Sequence, residues 1–339
     1  MRADVLDPRT DPEPAYWDDL RTQAGLRADW AWPVLAVQAW GARTPQLVTV
    51  LFDGAEPVAA VNAGWLGLPA GRFSFARAGS RPRLGALHVR GPGSAAVPGW
   101  WSAEHVPLAE FADAYTRAVR AALGPGALGV VWRQVRPDQV DQIKHRVGKA
   151  LTTEPLWTIH TGRWTDREQW LMALSRSRRS NLRGIVKRMT ADDNLEVRVQ
   201  TGAVIDDRPV AEVMRWNDAK YGGALIPRVR VLGGYLRELS AQPDVRSYSY
   251  LDRSTGRLLA FGHVLDHPQR PVVRSWSQLP LDRGGIRDLY FHHLSSVVGW
   301  SIDEGRLGLE LGKGKSREKE SLGAEPTEQV ALAVPTRWW

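Results

Sequence analysis

The sequence predicts an α+β protein of two successive domains, each with a mixed, mostly antiparallel sheet flanked by helices. Three observations support this fold class. The chain has 339 residues, which exceeds the usual size of one compact core. Two similar strand–turn–strand segments, VTVLFDGAEPVAAVNAG and YSYLDRSTGRLLAFGHV, lie in its two halves. In each half a helical segment precedes this hairpin, and a long amphipathic helix and then a buried strand follow it, so one order of elements occurs twice.

The first block is assigned to residues 1–152. Apolar side chains spaced by four residues predict a helix from Ala15 to Ala24. The first hairpin turns at Asp53-Gly54. The amphipathic segment from Val106 is predicted to end at Gly124, and ALGVVWRQV is the buried strand after it.

The second block is assigned to residues 153–339 and contains the predicted active site. REQWLMALSRSRRSNLRGIVKRM is predicted to form one long helix or a pair of helices. After the second hairpin, DLYFHHLSSVVGWSIDEG is a helix ending at Gly305. RLGLEL and TEQVALAVP are the strands that complete this block.

Composition excludes several classes of chemistry. The chain has no cysteine, which removes disulfides, zinc–thiolate sites and thiol nucleophiles and fits a cytoplasmic protein. No run of about 18 apolar residues is present, so no membrane span is expected. The net charge is +8, with 38 arginines and 7 lysines, and their placement is more informative than their number. Most of the 16 tryptophans are expected to fill cores.

The strongest local charge signal is a basic helix in the second block. An apolar stripe formed by Leu182, Ile185, Val186 and Met189 leaves six cations on the rest of the helix, with no acid among them. These six are Arg176, Arg178, Arg179, Arg183, Lys187 and Arg188. A solvated surface helix usually carries paired charges of mixed sign. The helix therefore favours a polyanionic ligand: a tRNA backbone, a CoA pyrophosphate or an acidic helix of a carrier protein.

The segment 312–316, Gly-Lys-Gly-Lys-Ser, has only part of the phosphate-binding pattern of nucleotide triphosphatases. The glycine required six residues before the lysine is Leu309, and only 23 residues follow Ser316. The nucleotide-triphosphatase interpretation is therefore rejected. A basic turn remains, in which Lys313, Lys315 and Lys319 are predicted phosphate ligands.

Two segments carry a resemblance to a known family. ALSRSRRSNLRGIVKRM resembles the Arg-rich helix that opens the catalytic half of Fem-like transferases, which have two fused Gcn5-related N-acyltransferase (GNAT) domains. GRLGLELGKGKSREKESLGAEP resembles the closing signature of that group: a strand, a Gly-rich turn, a basic residue (Lys319) and Leu322-Gly323-Ala324. YWDDL and LVTVLFDGAEPVAAV look like its first half.

The resemblance implies an enzyme that transfers an acyl or aminoacyl group from an activated ester or thioester to an amine. No covalent intermediate and no tightly bound cofactor are expected, since the enzyme supplies positioning, a proton acceptor and an oxyanion donor. The favoured donor is aminoacyl-tRNA, with a cell-wall precursor or an amine-bearing natural product as acceptor. One alternative is an acyltransferase that uses acyl-CoA or an acyl-carrier protein, and another is a non-catalytic RNA-binding module.

The segment PLDRGGIRDLYFHHL bears on the choice of donor. Arg283, Gly284 and Gly285 lie where GNAT enzymes bind the CoA pyrophosphate, but their spacing differs from the Gln/Arg-x-x-Gly-x-Gly/Ala pattern. This difference favours a donor bound to RNA or to a carrier protein over free CoA.

Single residues are assigned by position. The candidates for the catalytic base are His263, Asp266, Tyr290 and His292. The candidate walls of the acceptor site are Trp216, Tyr221 and Trp276. No metal site is expected, because adjacent histidines on a helix diverge and no cluster of carboxylates supports them.

Overall fold

The computed structural model describes residues 1–42, 44–68, 84–93, 97–144, 148–220 and 233–336. The chain divides into two compact units, one of Met1–Pro155 with Thr327–Trp339 and the other of Leu156–Pro326. The final strand was expected in the second block, whereas in the structure it belongs to the first unit, because it pairs there with the strand that follows the long helix.

The first unit is a mostly antiparallel sheet with helices. Its strands lie in the order β1-β2-β3-β4-β6-β13, and β5 pairs with β3. The strands are β1 (Arg2–Leu6), β2 (Gln46–Asp53), β3 (Glu56–Leu68), β4 (Leu84–Val89), β5 (Trp100–Ser102), β6 (Ala127–Val135) and β13 (Glu325–Pro335). The helices are α1 (Trp17–Gln23), α2 (Trp32–Gly41), α3 (Leu108–Leu123) and α4 (Val140–Lys144). Strands β4 and β6 pair in parallel, whereas β1 with β2, β2 with β3, β3 with β4, β3 with β5 and β6 with β13 pair antiparallel.

Helix α3 covers one face of this sheet. Phe111 and Tyr115 pack edge-on against Trp132 of β6, with ring centroids 5.5 and 5.2 Å apart. On the other face, Trp17 of α1 and Leu35 of α2 bury the part of the sheet formed by β2 and β3. The period-two alternation of these strands thus supplies apolar side chains to two layers of helices.

The second unit repeats this plan. Its sheet has the order β7-β12-β11-β10-β9-β8. The strands are β7 (Lys149–Ile159, which enters this unit at Leu156), β8 (Leu195–Thr201), β9 (Val245–Asp252), β10 (Leu258–Leu265), β11 (Val272–Gln278) and β12 (Leu309–Glu310). The helices are α5 (Arg167–Ala173), α6 (Arg176–Thr190), α7 (Asp207–Lys220), α8 (Gly233–Ser240), α9 (Leu289–Asp303) and α10 (Ser316–Glu320).

The fold class predicted from the sequence is confirmed: helices flank a large, mostly antiparallel sheet. The first hairpin turns where expected, with Asp53 paired to Glu56 and Gly54 at φ 58°. The basic segment forms two helices, because the Ser175 side chain accepts a hydrogen bond from Arg178 N at 3.2 Å and starts α6 afresh. In the described part of the chain, no helix combines the length and the hydropathy of a membrane span.

Candidate functional site

The parallel pair of β11 and β12 leaves an opening in the second unit. Among the described residues, one register pair, Val272 with Glu310, joins these strands. Strand β12 has only two residues, and the chain turns at Gly312, where φ is 74°. Beyond Val272 the two strands therefore diverge and β11 has an open edge. Such an edge offers backbone N–H and C=O groups to an incoming ligand.

An aromatic layer lies on the α9 side of this sheet. Gly262 of β10 is in register with Tyr248 of β9 and with Trp276 of β11. Because Gly262 has no side chain, the His293 ring fits over it, stacked on Trp276 with centroids 4.5 Å apart and edge-on to Tyr248 at 4.8 Å. A Cβ on Gly262 would lie 2.9 Å from His293 Nε2. The layer therefore fixes Trp276 at the open edge.

Tyr290, in the first turn of α9, connects this layer with the Gly-rich turn. Its ring centroid is 6.0 Å from that of Trp276, and the Lys315 ammonium lies 4.1 Å above its ring. Lys315 has φ 49° and Gly314 has φ 72°, so the backbone of the turn curls to bring the lysine back toward α9. Tyr290 is half-buried and Lys315 is exposed. A cation over an aromatic ring at this distance is a favourable contact.

Lys319 does not lie on the surface with Lys315. Its side chain is buried, and Nζ donates hydrogen bonds to Gly312 O at 2.8 Å and Lys313 O at 3.0 Å. The predicted role of Lys319 as a phosphate ligand therefore has no support in this arrangement, in which the ammonium holds the turn closed. Lys313 is half-buried in the same turn.

The basic helix α6 packs by the predicted stripe. Leu182, Ile185 and Met189 are buried and Val186 is half-buried. The helix contacts α9, and the Arg178 guanidinium lies 4.6 Å from the Phe291 ring centroid. The N-terminal half of α6 therefore lies beside the first turn of α9.

The sequence around α6 predicts that its cations have no acidic partners. In the structure, some of these cations are paired. Arg188 forms an ion pair with Asp288 at 2.7 Å, and Arg183 pairs with Glu168 of α5. Arg179 donates to Met172 O at 3.2 Å. Arg176 and Lys187 are exposed and form no ion pair with any residue that the structure describes. The acids that neutralise part of this face come from other segments, which a count within the helix could not include.

The four candidates for the catalytic base lie in different surroundings. His263 is fully buried on the opposite face of the sheet, with Nε2 2.6 Å from Ser240 Oγ. Asp266 follows the far end of β10 and is 2.9 Å from the Arg306 guanidinium. His292 is buried against Tyr250, whose Oη lies 3.1 Å from His292 Nδ1. Tyr290 is the candidate beside Trp276 and Lys315.

The buried histidines are held neutral. Burial lowers the pKa of His263 to about 3, with a smaller contribution from Arg274. Burial also lowers the pKa of His293 to about 3, with a contribution from His292. Within the described part of the chain, neither ring nitrogen of His293 has a hydrogen-bond partner. Both imidazoles are thus uncharged at neutral pH, and packing is the role that their surroundings support.

These shifts predict a loss of stability in acid. Below about pH 6.5 an unfolded histidine binds a proton that the folded side chain, with its pKa near 3, does not bind. The unfolded state then holds more protons, so the free energy of unfolding falls as pH decreases from about 6.5 toward 3. Each histidine contributes up to about 1.4 kcal/mol per pH unit. Urea unfolding between pH 7 and 4 measures the slope, and His293→Phe should flatten it; an unchanged slope would contradict this assignment.

The two acceptor-site candidates that the structure describes, Trp216 and Trp276, contact different side chains. Trp276 lies at the open edge, as described above, whereas the Trp216 ring packs under the Arg283 guanidinium at 5.3 Å. Tyr221 lies outside the described residues. Phe291 and Gly262 were not singled out from the sequence. The glycine inside a strand pattern was the available signal, because glycine there marks the close approach of another group.

The fold is similar to that of several solved structures. No protein-family model matches the sequence, and no curated protein matches it. L-PGS from Bacillus licheniformis is 12% identical, with a TM-score of 0.61 over 97% of this chain and 94% of that chain. FemX is 8% identical, with a TM-score of 0.60 over 98% of this chain and 97% of that chain.

A third similar structure is the C-terminal domain of a putative lysylphosphatidylglycerol synthetase from Agrobacterium fabrum. It is 14% identical, with a TM-score of 0.58 over 94% of this chain and 90% of that chain. Sequence identities this low establish the fold alone. The chain has the fold of these three proteins, in agreement with the fold expected from the resemblance of its motifs to Fem-like transferases.

Proposed function

We propose that this chain is an N-acyltransferase that moves an aminoacyl group from aminoacyl-tRNA to an amine. The observation that carries the proposal is the group of cation–aromatic contacts in the first turn of α9, where Arg178 lies on Phe291 and Lys315 on Tyr290. This group borders the open edge of β11. Single-stranded RNA ends are bound by such surfaces, because bases stack on aromatic rings and guanidinium planes while cations meet the phosphates.

The N-terminus of α9 favours RNA over CoA as the donor's carrier. Asp288 is the N-cap residue of this helix, with φ 70°; its side chain makes no capping hydrogen bond and is paired with Arg188. A helix N-terminus attracts anions, but here the residue at that end, Asp288, itself carries a carboxylate. A CoA pyrophosphate placed there would meet a negative charge. A donor whose phosphates lie along α6 avoids this repulsion.

The proposed reaction needs no covalent enzyme intermediate. The neutral amine attacks the carbonyl carbon of the aminoacyl ester, the carbon–oxygen bond to the ribose breaks, and the ammonium proton passes to the leaving ribose oxygen. The products are an amide and tRNA with a free ribose hydroxyl. The open edge of β11 is assigned to receive the developing oxyanion, and the Tyr290 hydroxyl is assigned to relay the proton.

The donor test compares carriers directly. Purified chain is incubated with a pooled amine library and either labelled aminoacyl-tRNAs or acyl-CoA, with and without prior RNase treatment. The proposal expects labelled amide from the tRNA pool, abolished by RNase. Turnover from acyl-CoA that resists RNase would instead support the CoA-dependent transferase. Binding of tRNA without amide formation from either donor would support the RNA-binding module.

Charge reversal on α6 is expected to weaken donor binding. Arg176 and Lys187 are eleven residues apart and share one face of the helix. Arg176→Glu with Lys187→Glu should raise the Kd for tRNA about a hundredfold and reduce the salt dependence of binding by about two phosphate contacts. Filter binding at several salt concentrations measures both quantities. Arg237→Glu, on α8 and 52% exposed, is the matched control; equal losses in both variants would remove α6 from the proposal.

A further inference from the structure

Two arginines of the first unit have no acidic partner among the residues that the structure describes. Arg90 directly follows β4, Arg133 lies on the adjacent parallel strand β6, and both are half-buried. The Nε atoms of both guanidinium groups are buried and have no hydrogen-bond partner among the described residues. Arg133 Nη1 lies 3.4 Å from His88 Nε2.

No carboxylate side chain of the described residues neutralises Arg90 and Arg133. Neither arginine forms an ion pair in the part of the chain that the structure describes, and none of the residues outside that part is Asp or Glu. Burial, together with Arg133, lowers the pKa of Arg90. Burial and the two arginines lower the pKa of His88 to about 4, so His88 adds no charge at neutral pH. Partly buried like charges repel and are costly unless an anion accompanies them.

The local backbone holds the two arginines in place. Arg90 N donates to Asn62 O at 3.2 Å, and Asn62 Nδ2 donates to Arg90 O at 2.9 Å. Arg133 is at a β-bulge, where Arg133 and Gln134 stand opposite one residue of β13, and Gln134 has φ 57°. Bulges of this kind redirect side chains and are frequent beside binding sites. The two guanidinium groups are therefore presented together by rigid elements.

An apolar cleft continues from the arginines on the same face of the sheet. The register pairs Ala86 with Gly129 and His88 with Val131, so alternation places Ala86, His88, Val131 and Arg133 on one face, opposite α3. Ala86, Gly129 and Val131 line a cleft of about 640 Å³. This volume is within the range of about 300–1,000 Å³ typical of small-molecule sites.

We propose that Arg90 and Arg133 bind the anionic head of an amphiphile, a phosphate or a carboxylate, whose hydrocarbon chain lies in this cleft. Guanidinium groups bind both kinds of head through paired hydrogen bonds. The apolar wall begins at Val131, two residues from Arg133, and at Ala86, four residues from Arg90, so the head and the hydrocarbon chain of one molecule can be bound at once. This site belongs to the first unit and does not depend on the transferase proposed for the second.

The test is calorimetric titration of the full chain with decyl phosphate, decanoate, inorganic phosphate and decanol. Decyl phosphate or decanoate should bind, and inorganic phosphate should bind on the order of a hundredfold more weakly, because it lacks the buried methylene groups. The tighter of the two amphiphiles identifies the preferred head. Decanol should bind more weakly than either, since it carries no charge.

Protein variants distinguish binding of the anionic head from binding of the hydrocarbon chain. Arg90→Gln and Arg133→Gln should each weaken amphiphile binding about tenfold or more. Leu66→Glu changes a cleft residue that is 48% exposed, and it should remove the advantage of the alkyl chain without loss of inorganic phosphate binding. Arg136→Gln, which alters an exposed arginine paired with Asp138, should bind as the native chain does. The proposal is overturned if the native chain binds neither amphiphile more tightly than inorganic phosphate, or if both arginine variants bind like the native chain.

Discussion

Tyr290→Phe is expected to lower kcat for amide formation by about two orders of magnitude or more, the usual effect of losing a proton-transfer group. The substitution keeps the ring that contacts Trp276 and Lys315 and removes only the hydroxyl. The KM for aminoacyl-tRNA should therefore change little. Steady-state kinetics at saturating amine, repeated across pH, measures kcat and KM separately.

Tyr250→Phe is the matched control for this prediction. Tyr250 belongs to the same aromatic group, but it is fully buried and its hydroxyl contacts His292 Nδ1 at 3.1 Å. Its loss should cost about 1 kcal/mol of stability and leave kcat near the native value. If Tyr290→Phe retained native kcat, another group would have to move the proton.

Gly262→Val is expected to disrupt the aromatic layer, with a loss of about 1–3 kcal/mol or more from overpacking. The first added carbon would lie 2.9 Å from His293 Nε2 and 3.1 Å from Trp276 Cε3. Neither ring can move freely, since His293 is fully buried between Trp276 and Tyr248. Activity should fall with stability, because Trp276 borders the open edge of β11. Urea unfolding and the amide assay measure the two effects.

Two further variants test the cause of that loss. In a His293→Ala background the cost of Gly262→Val should shrink, because the ring that meets the new side chain is gone. Gly184→Ala serves as the control glycine: it lies within α6, and an added Cβ there meets nothing within 4 Å. That change should stabilise the chain by about 0.5–1 kcal/mol. An equal cost of Gly262→Val in both backgrounds would place the strain elsewhere.

Local patterns were sufficient to predict most elements of the fold. The Asp53-Gly54 turn, the apolar stripe of α6 and the long helices carry their signal within a few residues. The strand β1 was not predicted, since its five residues are only partly buried and show no clear alternation. The partner of β13 could not be predicted either, because its pairing with β6 joins residues about 200 positions apart. The pairing of two strands so far apart in sequence depends on the topology of the whole sheet, which a short stretch of sequence does not reveal.

The sequence was sufficient to predict several residues of the candidate site, but not how their side chains are arranged. The sequence pointed to α6, the Gly-rich turn and Tyr290, and the structure places Arg178, Lys315 and Tyr290 around the first turn of α9. It could not show that the Lys319 ammonium points inward or that Asp288 and Glu168 neutralise two arginines of α6. Spacing alone does not report the direction of a long side chain or its partners from distant segments.

The central claim, that the face formed by α6 and the first turn of α9 receives the aminoacyl end of tRNA, is tested most directly by photo-crosslinking. Aminoacyl-tRNA with a photoreactive nucleotide near its 3′ end is irradiated with the native chain, and the attached peptides are identified by mass spectrometry. The account predicts attachment within Arg176–Thr190 and at Tyr290 or Phe291, competed by unlabelled charged tRNA. Specific attachment confined to other segments of the chain would contradict it.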